Sequence, residues 1–298
     1  MILLLLENST WEFHYIKNEL LNDIPNLMVE KFTKETFHQL ESRDDLISNS
    51  IIIINGVCNL SEIIKIATKI KPLIVFYLSD EGGCCSSWTI LEQYTKLLFR
   101  QYNFGHYKYS KNNYQSPLGY VTNYLNNNSS NNISKKPICD RTINASFIGT
   151  PKSDRVHMSN IFNKNMKNTK IIFVNNNWDI PNLPYSPQDC FDTYNDSIFV
   201  LCGRGNSNLD CFRIYEAIVA GAIPITIGSK EEINITFNYN NNLMPILFFD
   251  TWEIAVLECN KLLHEPQKLI DIQKNISSWW INQHDQMKSL IRSVIENP

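Results

Sequence analysis

Residues 197–228 read SIFVLCGRGNSNLDCFRIYEAIVAGAIPITIG, and their types and spacing suit the capture of a small anion. The apolar run from Ser197 to Cys202 reads as a buried strand. Gly203, Arg204, Gly205 and Asn206 follow as a loop whose small residues let backbone amides approach a phosphate. A helix is predicted from near Asp210, a good capping type, and Gly221 stands where a glycine ends a helix. On that helix Arg213, Glu216, Ala217 and Ala220 share one narrow stripe, with Phe212, Tyr215 and Val219 on one flank and Ile214 and Ile218 beside them. Arg204 and Arg213 offer forked donors to phosphate oxygens, the helix start favours negative charge, and Glu216 is placed to accept ribose hydroxyls. A nucleoside diphosphate fits this set. The competing reading is an ordinary helix whose Arg213–Glu216 pair lies on the surface and contributes about 0.2–0.5 kcal/mol. The loop is neither a P-loop, which ends in Gly-Lys-Ser/Thr, nor the G-x-G-x-x-G dinucleotide fingerprint.

These residues need strands and helices to place them, and the chain supplies two series. In the first, strands are predicted at Ile2–Leu6, Leu27–Phe32, Ile51–Ile54, Leu73–Leu78 and Leu97–Tyr102, with helical spacing at Trp11–Leu21 and Leu60–Ile70. The polar run Asn126–Lys136 is the linker candidate. The second series has strands at Ala145–Ile148, Lys170–Val174, Ser197–Cys202, Ile223–Ile227 and Pro245–Phe249. Its helices are Ser153–Asn163, Cys211–Ala220, Thr251–Leu263 and most of Gln267–Glu296. Continuous apolar strands separated by helices call for parallel sheets covered on both faces. The expected fold is therefore α/β, with two Rossmann-like doubly wound domains facing a cleft, 1–135 and 136–298, the second ending in a long helix.

With 43% hydrophobic and 19% charged residues over 298 positions, the chain has enough apolar material for a core and is not a disordered chain. Its net charge of −3 argues against a nucleic-acid partner held by non-specific attraction. No apolar run reaches the ~18–20 residues of a membrane helix, and Met1–Leu6 has no basic leader, so a first strand and a cytoplasmic location are expected. The 8 cysteines contain no C-x-x-C pair and read as free thiols, most of them buried. Asn, Ile and Lys are over-used, a sign of AT-rich coding that would suit a large DNA virus or a protist. The sequons at Asn8, Asn132, Asn144, Asn234 and Asn275 are discounted as chance matches.

Arg204-Gly205, then Phe212-Arg213-Ile214-Tyr215-Glu216-Ala217, then Gly221-Ala222-Ile223-Pro224-Ile225 resembles the C-terminal signature of exostosin-type glycosyltransferases (glycosyltransferase family 47, ribitol-xylosyltransferase-like). Leu78-Ser79-Asp80-Glu81, Leu98-Phe99-Arg100-Gln101-Tyr102 and Pro117-Leu118-Gly119-Tyr120 are similar to the middle of that family's N-terminal half. Ser146-Phe147-Ile148-Gly149, followed by Lys152 and Arg155, resembles the opening of its C-terminal half. The resemblance implies a GT-B architecture and inverting, metal-independent transfer from a nucleotide sugar, most often a UDP-sugar, to a glycan hydroxyl. The absence of an Asp-x-Asp clamp agrees. Animal and plant members carry a Golgi membrane anchor; none is read in this sequence, so either a soluble cytoplasmic relative or a truncated piece is expected. A retaining enzyme, a GDP- or ADP-sugar enzyme and a non-catalytic nucleotide- or sugar-binding relative are the alternatives.

Such a transfer needs a base for the acceptor hydroxyl and positive charge at the leaving diphosphate. Asp80 and Glu81 directly follow a strand and precede Gly82-Gly83, so either is a candidate base, and a surface turn pair is the alternative. Glu7 reads better as an acid opening the next helix. Gly149, Lys152 and Arg155 join the donor-binding candidates, against a solvated first helical turn. Arg100 ends an apolar strand, where it either meets phosphate or forms a buried ion pair. Tyr102, with Tyr107, Tyr109 and Tyr114, suits stacking on an acceptor sugar or packing on the domain. His106 is a further candidate beside substrate.

Overall fold

Strand β1 (Ile2–Leu6) is apolar at every position because both of its faces are covered, and no residue in it is more than 3% exposed. The computed structural model describes residues 1–6, 11–55, 60–82, 88–103, 105, 110–126, 128–174 and 185–297. They divide into two units. Unit 1 comprises Met1–Leu118, Tyr239–Asn241 and Gln283–Pro298, and unit 2 comprises Gly119–Asn238 and Asn242–Asn282.

In unit 1, β1 is joined by β2 (Met28–Phe32), β3 (Ser50–Asn55), β4 (Ile74–Leu78), β5 (Leu97–Arg100) and β6 (Asn113–Gln115). They form one sheet in the order β2-β1-β3-β4-β5-β6, with every pair parallel. Alternate side chains of β1, β3, β4 and β5 point to one layer, where helix α1 (Leu60–Ile70) contributes Ile63, Ile66, Ala67 and Ile70 at helical spacing. On the opposite face Phe76 and Phe99, register partners on β4 and β5, stack at 5.0 Å. The helix expected over Trp11–Leu21 begins as a single turn, Phe13–Tyr15, and continues as a wider π-helical stretch, Ile16–Leu20. Strand β6 carries no apolar run and was not expected. Its Asn113 is buried by a hydrogen bond from Nδ2 to Glu92 Oε1, at 2.6 Å.

Unit 2 holds β7 (Ile143–Gly149), β8 (Thr169–Phe173), β9 (Ser197–Leu201), β10 (Ile223–Ile227) and β11 (Leu247–Phe249). Their order is β11-β10-β9-β7-β8, again all parallel. Its helices are α2 (Arg155–Asn165), α3 (Pro187–Asn195), α4 (Phe212–Val219), α5 (Lys230–Phe237), α6 (Trp252–Leu262) and the start of α7 (Pro266–Glu296). Both sheets have the same topology: the chain runs from the first strand to a neighbour on one side and then crosses to the other. The switch points fall between β1 and β3 and between β7 and β9, where ligands of such sheets bind beyond the carboxyl ends. The expected α/β class with a Rossmann-like sheet in each half is therefore observed.

Three details differ from expectation. Residues 119–135 cluster with unit 2, so the division falls at 118/119 where the sequence pointed to 135/136. The polar run is tied down there: the Lys136 amide donates to Asn195 Oδ1 at 2.9 Å and its ammonium pairs with Asp196. Gln283–Pro298, the last part of α7, cluster with unit 1, where Arg292 pairs with Asp23 and His284 packs edge-on against Tyr15. Helix α4 starts after Cys211, not at Asp210, whose carboxylate instead accepts the Tyr215 hydroxyl at 2.7 Å. The far end is as expected. Gly221 has φ +73°, its amide donates to Ile218 at 2.9 Å, and Ala222 donates to Ala217 at 2.8 Å, the paired bonds of a glycine-closed helix. Among the described residues no helix is long and apolar enough to cross a membrane.

Candidate active site

The β7/β9 switch point of unit 2 gathers most of the sequence-predicted residues. Gly149 ends β7, and Arg213, on the first turn of α4, reaches back to it. The Arg213 guanidinium donates through Nε and Nη2 to the Ile148 carbonyl at 3.1 and 2.9 Å and lies over the Phe147 ring, 4.5 Å from its centroid. A Cβ on residue 149 would run into Arg213 Nη2, so glycine is what admits the guanidinium. One turn further along α4, Glu216 is 8% exposed, which removes the reading of Arg213–Glu216 as a surface pair. Burial pushes the Glu216 carboxyl up to about 7, opposed by Arg213 and by the Val121 amide that donates to it.

The loops beyond β7 and β9 are bound to each other. Arg155 donates to the Arg204 carbonyl through Nε and Nη2, at 3.1 and 2.6 Å, and more weakly to Thr150 at 3.4 Å. Lys152 Nζ meets Asn206 Oδ1. The Arg204 amide donates to Asp154 at 3.1 Å, and the Gly205 amide donates to Asn208 at 2.9 Å. The Arg204 side chain turns to Glu232 at 2.5 Å. These amides and the Arg155 fork are thus engaged in shaping the loops, while Arg213 holds the floor between them. The thiols of Cys202 and Cys211 donate to the Val200 and Gly203 carbonyls, at 3.4 and 3.9 Å. The neighbouring Cys202 side chain lowers the Cys211 thiol, with Arg213 and Arg155 assisting, whereas burial raises Cys202. Of the other described cysteines, Cys259 is buried, Cys190 is partly buried and Cys139 is exposed.

Unit 1 places a second group beyond β4 and β5. Arg100 and Asp80, both buried, form an ion pair at 3.2 Å, so the isolated charge at the end of β5 is the partner of a candidate base. Glu81 follows, partly exposed, and Tyr102 is buried with φ +55°. His106, Tyr107, Tyr109 and Glu7 lie outside the described residues. Sequence reasoning missed Glu12, which is 1% exposed and whose carboxyl burial pushes up to about 7. Its Oε1 accepts the Ser79 hydroxyl at 3.2 Å. The available signal was one acid between Trp11 and Phe13, just past the strand that borders the switch point.

Comparison with known proteins bears on the fold and the family. The crystal structure of an α1,3-fucosyltransferase aligns over 99% of this chain and 90% of its own, with a TM-score of 0.51 at 12% identity, a likeness of fold that places the two Rossmann-like units in the GT-B class. Ribitol-5-phosphate xylosyltransferase 1 of Danio rerio is 24% identical over 258 residues, covering 77% of this chain. The match spans 56% of that relative's length. The family model described as RXYLT1 C-terminal domain matches residues 123–298, which contain Gly149, Lys152, Arg155, Arg204, Arg213 and Glu216. With more than half of its length inside that model, the chain belongs to the RXYLT1 C-terminal domain family.

Proposed function

We propose that the protein is an inverting, metal-independent glycosyltransferase that moves a sugar from a UDP-sugar to a hydroxyl of a glycan acceptor. The seat of Arg213 carries this reading: a guanidinium held against Gly149 at the switch point of a parallel sheet, one helical turn from the buried carboxyl of Glu216. Arg213, with Lys152 from the loop beyond β7, holds the diphosphate and stabilises the charge that develops on it as the glycosidic bond breaks. Glu216 accepts ribose hydroxyls, and its partly protonated state near neutral pH suits a hydrogen-bonding role. Asp80 or Glu81 takes the proton of the acceptor hydroxyl as its oxygen attacks the anomeric carbon from the face opposite the leaving diphosphate. Family membership supports the transferase class, and the lack of an Asp-x-Asp motif supports metal independence.

The test is calorimetric titration of UDP, GDP, ADP and CMP, with and without EDTA, into wild type and Arg213→Ala. Preference for UDP that survives EDTA and is lost in the variant supports the reading, and the anomer of the product formed from a UDP-sugar then decides between inversion and retention. Absence of nucleotide binding in the wild type overturns it.

A further inference from the structure

The loops beyond β4 and β5 of unit 1 are held by a buried polar network that the proposed chemistry leaves unused. Ser79, the first residue after β4, has φ +59°, and Tyr102, just beyond β5, has φ +55°. Neither is of a type that adopts the left-handed region readily, so the surroundings impose the conformation. At Ser79 the imposing groups are visible. Its amide donates to Gln101 Oε1 at 2.8 Å, and its hydroxyl donates to Glu12 Oε1 at 3.2 Å. Gln101 also donates from Nε2 to the Leu118 carbonyl at 3.4 Å. Glu12 and Gln101 are each 1% exposed.

Ser79 therefore joins three chain segments, those leaving β1, β4 and β5, through the buried Glu12 carboxyl on one side and the Gln101 amide on the other. The two residues that follow Ser79 are Asp80, paired with Arg100, and Glu81. A left-handed residue reverses the direction in which the next side chains project, so the conformation of Ser79 determines where both carboxylates point. We infer that Glu12 is a positioning residue which, through the Ser79 hydroxyl and beside the Gln101 brace on the Ser79 amide, holds the turn that aims Asp80 and Glu81. This rests on the proposal above that one of those carboxylates is the base. It assigns Glu12 no contact with substrate.

The experiment compares Glu12→Ala, Glu12→Gln and Ser79→Ala with wild type in two readouts: hydrogen–deuterium exchange of the peptide covering residues 79–82, and the separate kcat and KM values of UDP-sugar transfer. Glutamine keeps an acceptor oxygen for the Ser79 hydroxyl, whereas alanine removes it. Expected results are at least tenfold faster exchange and at least tenfold lower kcat in Glu12→Ala and Ser79→Ala. KM for the donor and UDP affinity stay within twofold, and Glu12→Gln recovers most of both losses. Unchanged exchange in both alanine variants overturns the inference, as does a parallel fall in UDP affinity. Should Glu12→Ala fail to fold, Ser79→Ala carries the same test from the other end of the hydrogen bond. If wild type transfers no sugar, the transferase reading fails, and the exchange comparison still decides whether Glu12 holds the turn.

Discussion

Replacing Gly149 by alanine adds one methyl group at the point where the Arg213 guanidinium rests. The new Cβ would meet Arg213 Nη2 and would stand 3.0 Å from Phe147 Cζ. The tip of the long arginine side chain moves more easily than the strand, so Arg213 gives way. It then forfeits its two bonds to the Ile148 carbonyl, at 3.1 and 2.9 Å, and its place over the Phe147 ring. Charge-assisted bonds contribute about 1.5–3 kcal/mol and a cation–π contact about 0.5–2. Water replaces part of this at a half-buried site, and alanine restricts the unfolded chain by about 0.4–1 kcal/mol in the opposite sense. The net loss of stability is about 1–3 kcal/mol. Ligand affinity should suffer more visibly, about 10- to 100-fold in Kd, because a displaced guanidinium loses the diphosphate contact proposed for it above. Calorimetric UDP titration of wild type, Gly149→Ala, Arg213→Ala and the double variant measures this. The substitution at 149 should cost little affinity once Arg213 is gone, since it acts through that residue. A Gly149→Ala protein that binds UDP like wild type, or an equal loss in the Arg213→Ala background, would show that Gly149 does not act by seating Arg213.

Two more predictions concern the buried charges. Burial raises the Glu12 and Glu216 carboxyls from the ordinary 4.5 to about 7, so the folded protein keeps protons that the unfolded chain has released in that window. Stability contributed by each group is therefore present below pH 4.5, falls as pH rises toward about 7 and is level above, a loss of about 3 kcal/mol per group. Urea denaturation at pH 5, 6, 7 and 8 should show Glu216→Gln gaining on wild type across this range, and a difference that stays flat sinks the assignment. Arg141 is buried and donates to the carbonyls of Lys136, Tyr194, Ser197 and Ala220, with burial lowering its guanidinium to about 10. Arg141→Ala strands several buried acceptors and should cost more than about 3 kcal/mol in chemical denaturation. Arg141→Lys should recover little, because an ammonium cannot span the same fork. A loss below 1 kcal/mol would show that water fills the place.

Local patterning was enough to read what depends on near neighbours. The apolar runs marked every strand of both sheets except the polar β6, and helical spacing gave α1 its observed bounds, Leu60–Ile70. Gly221 announced the end of α4, and the Arg204 to Pro224 signature pointed to the family whose model matches residues 123–298. Helices α3 and α5 carried legible starts in the reciprocal caps Ser186/Asp189 and Ser229/Glu232, which the weak apolar periodicity obscured. Side-chain partners far apart in the chain were decided by tertiary structure. Arg155 braces the Arg204 carbonyl, and Arg204 turns to Glu232. Arg100 belongs to Asp80, and Glu12 and Gln101 both belong to Ser79. The strand orders, the division at 118/119 and the seat of Arg213 on Gly149 are of the same kind. Periodicity and capping record energies exchanged within one or two turns of the chain, and a sequence displays those directly. The burial that raises Glu12 and Glu216 depends on which distant segments are packed above them, so it exists only once the sheets have formed.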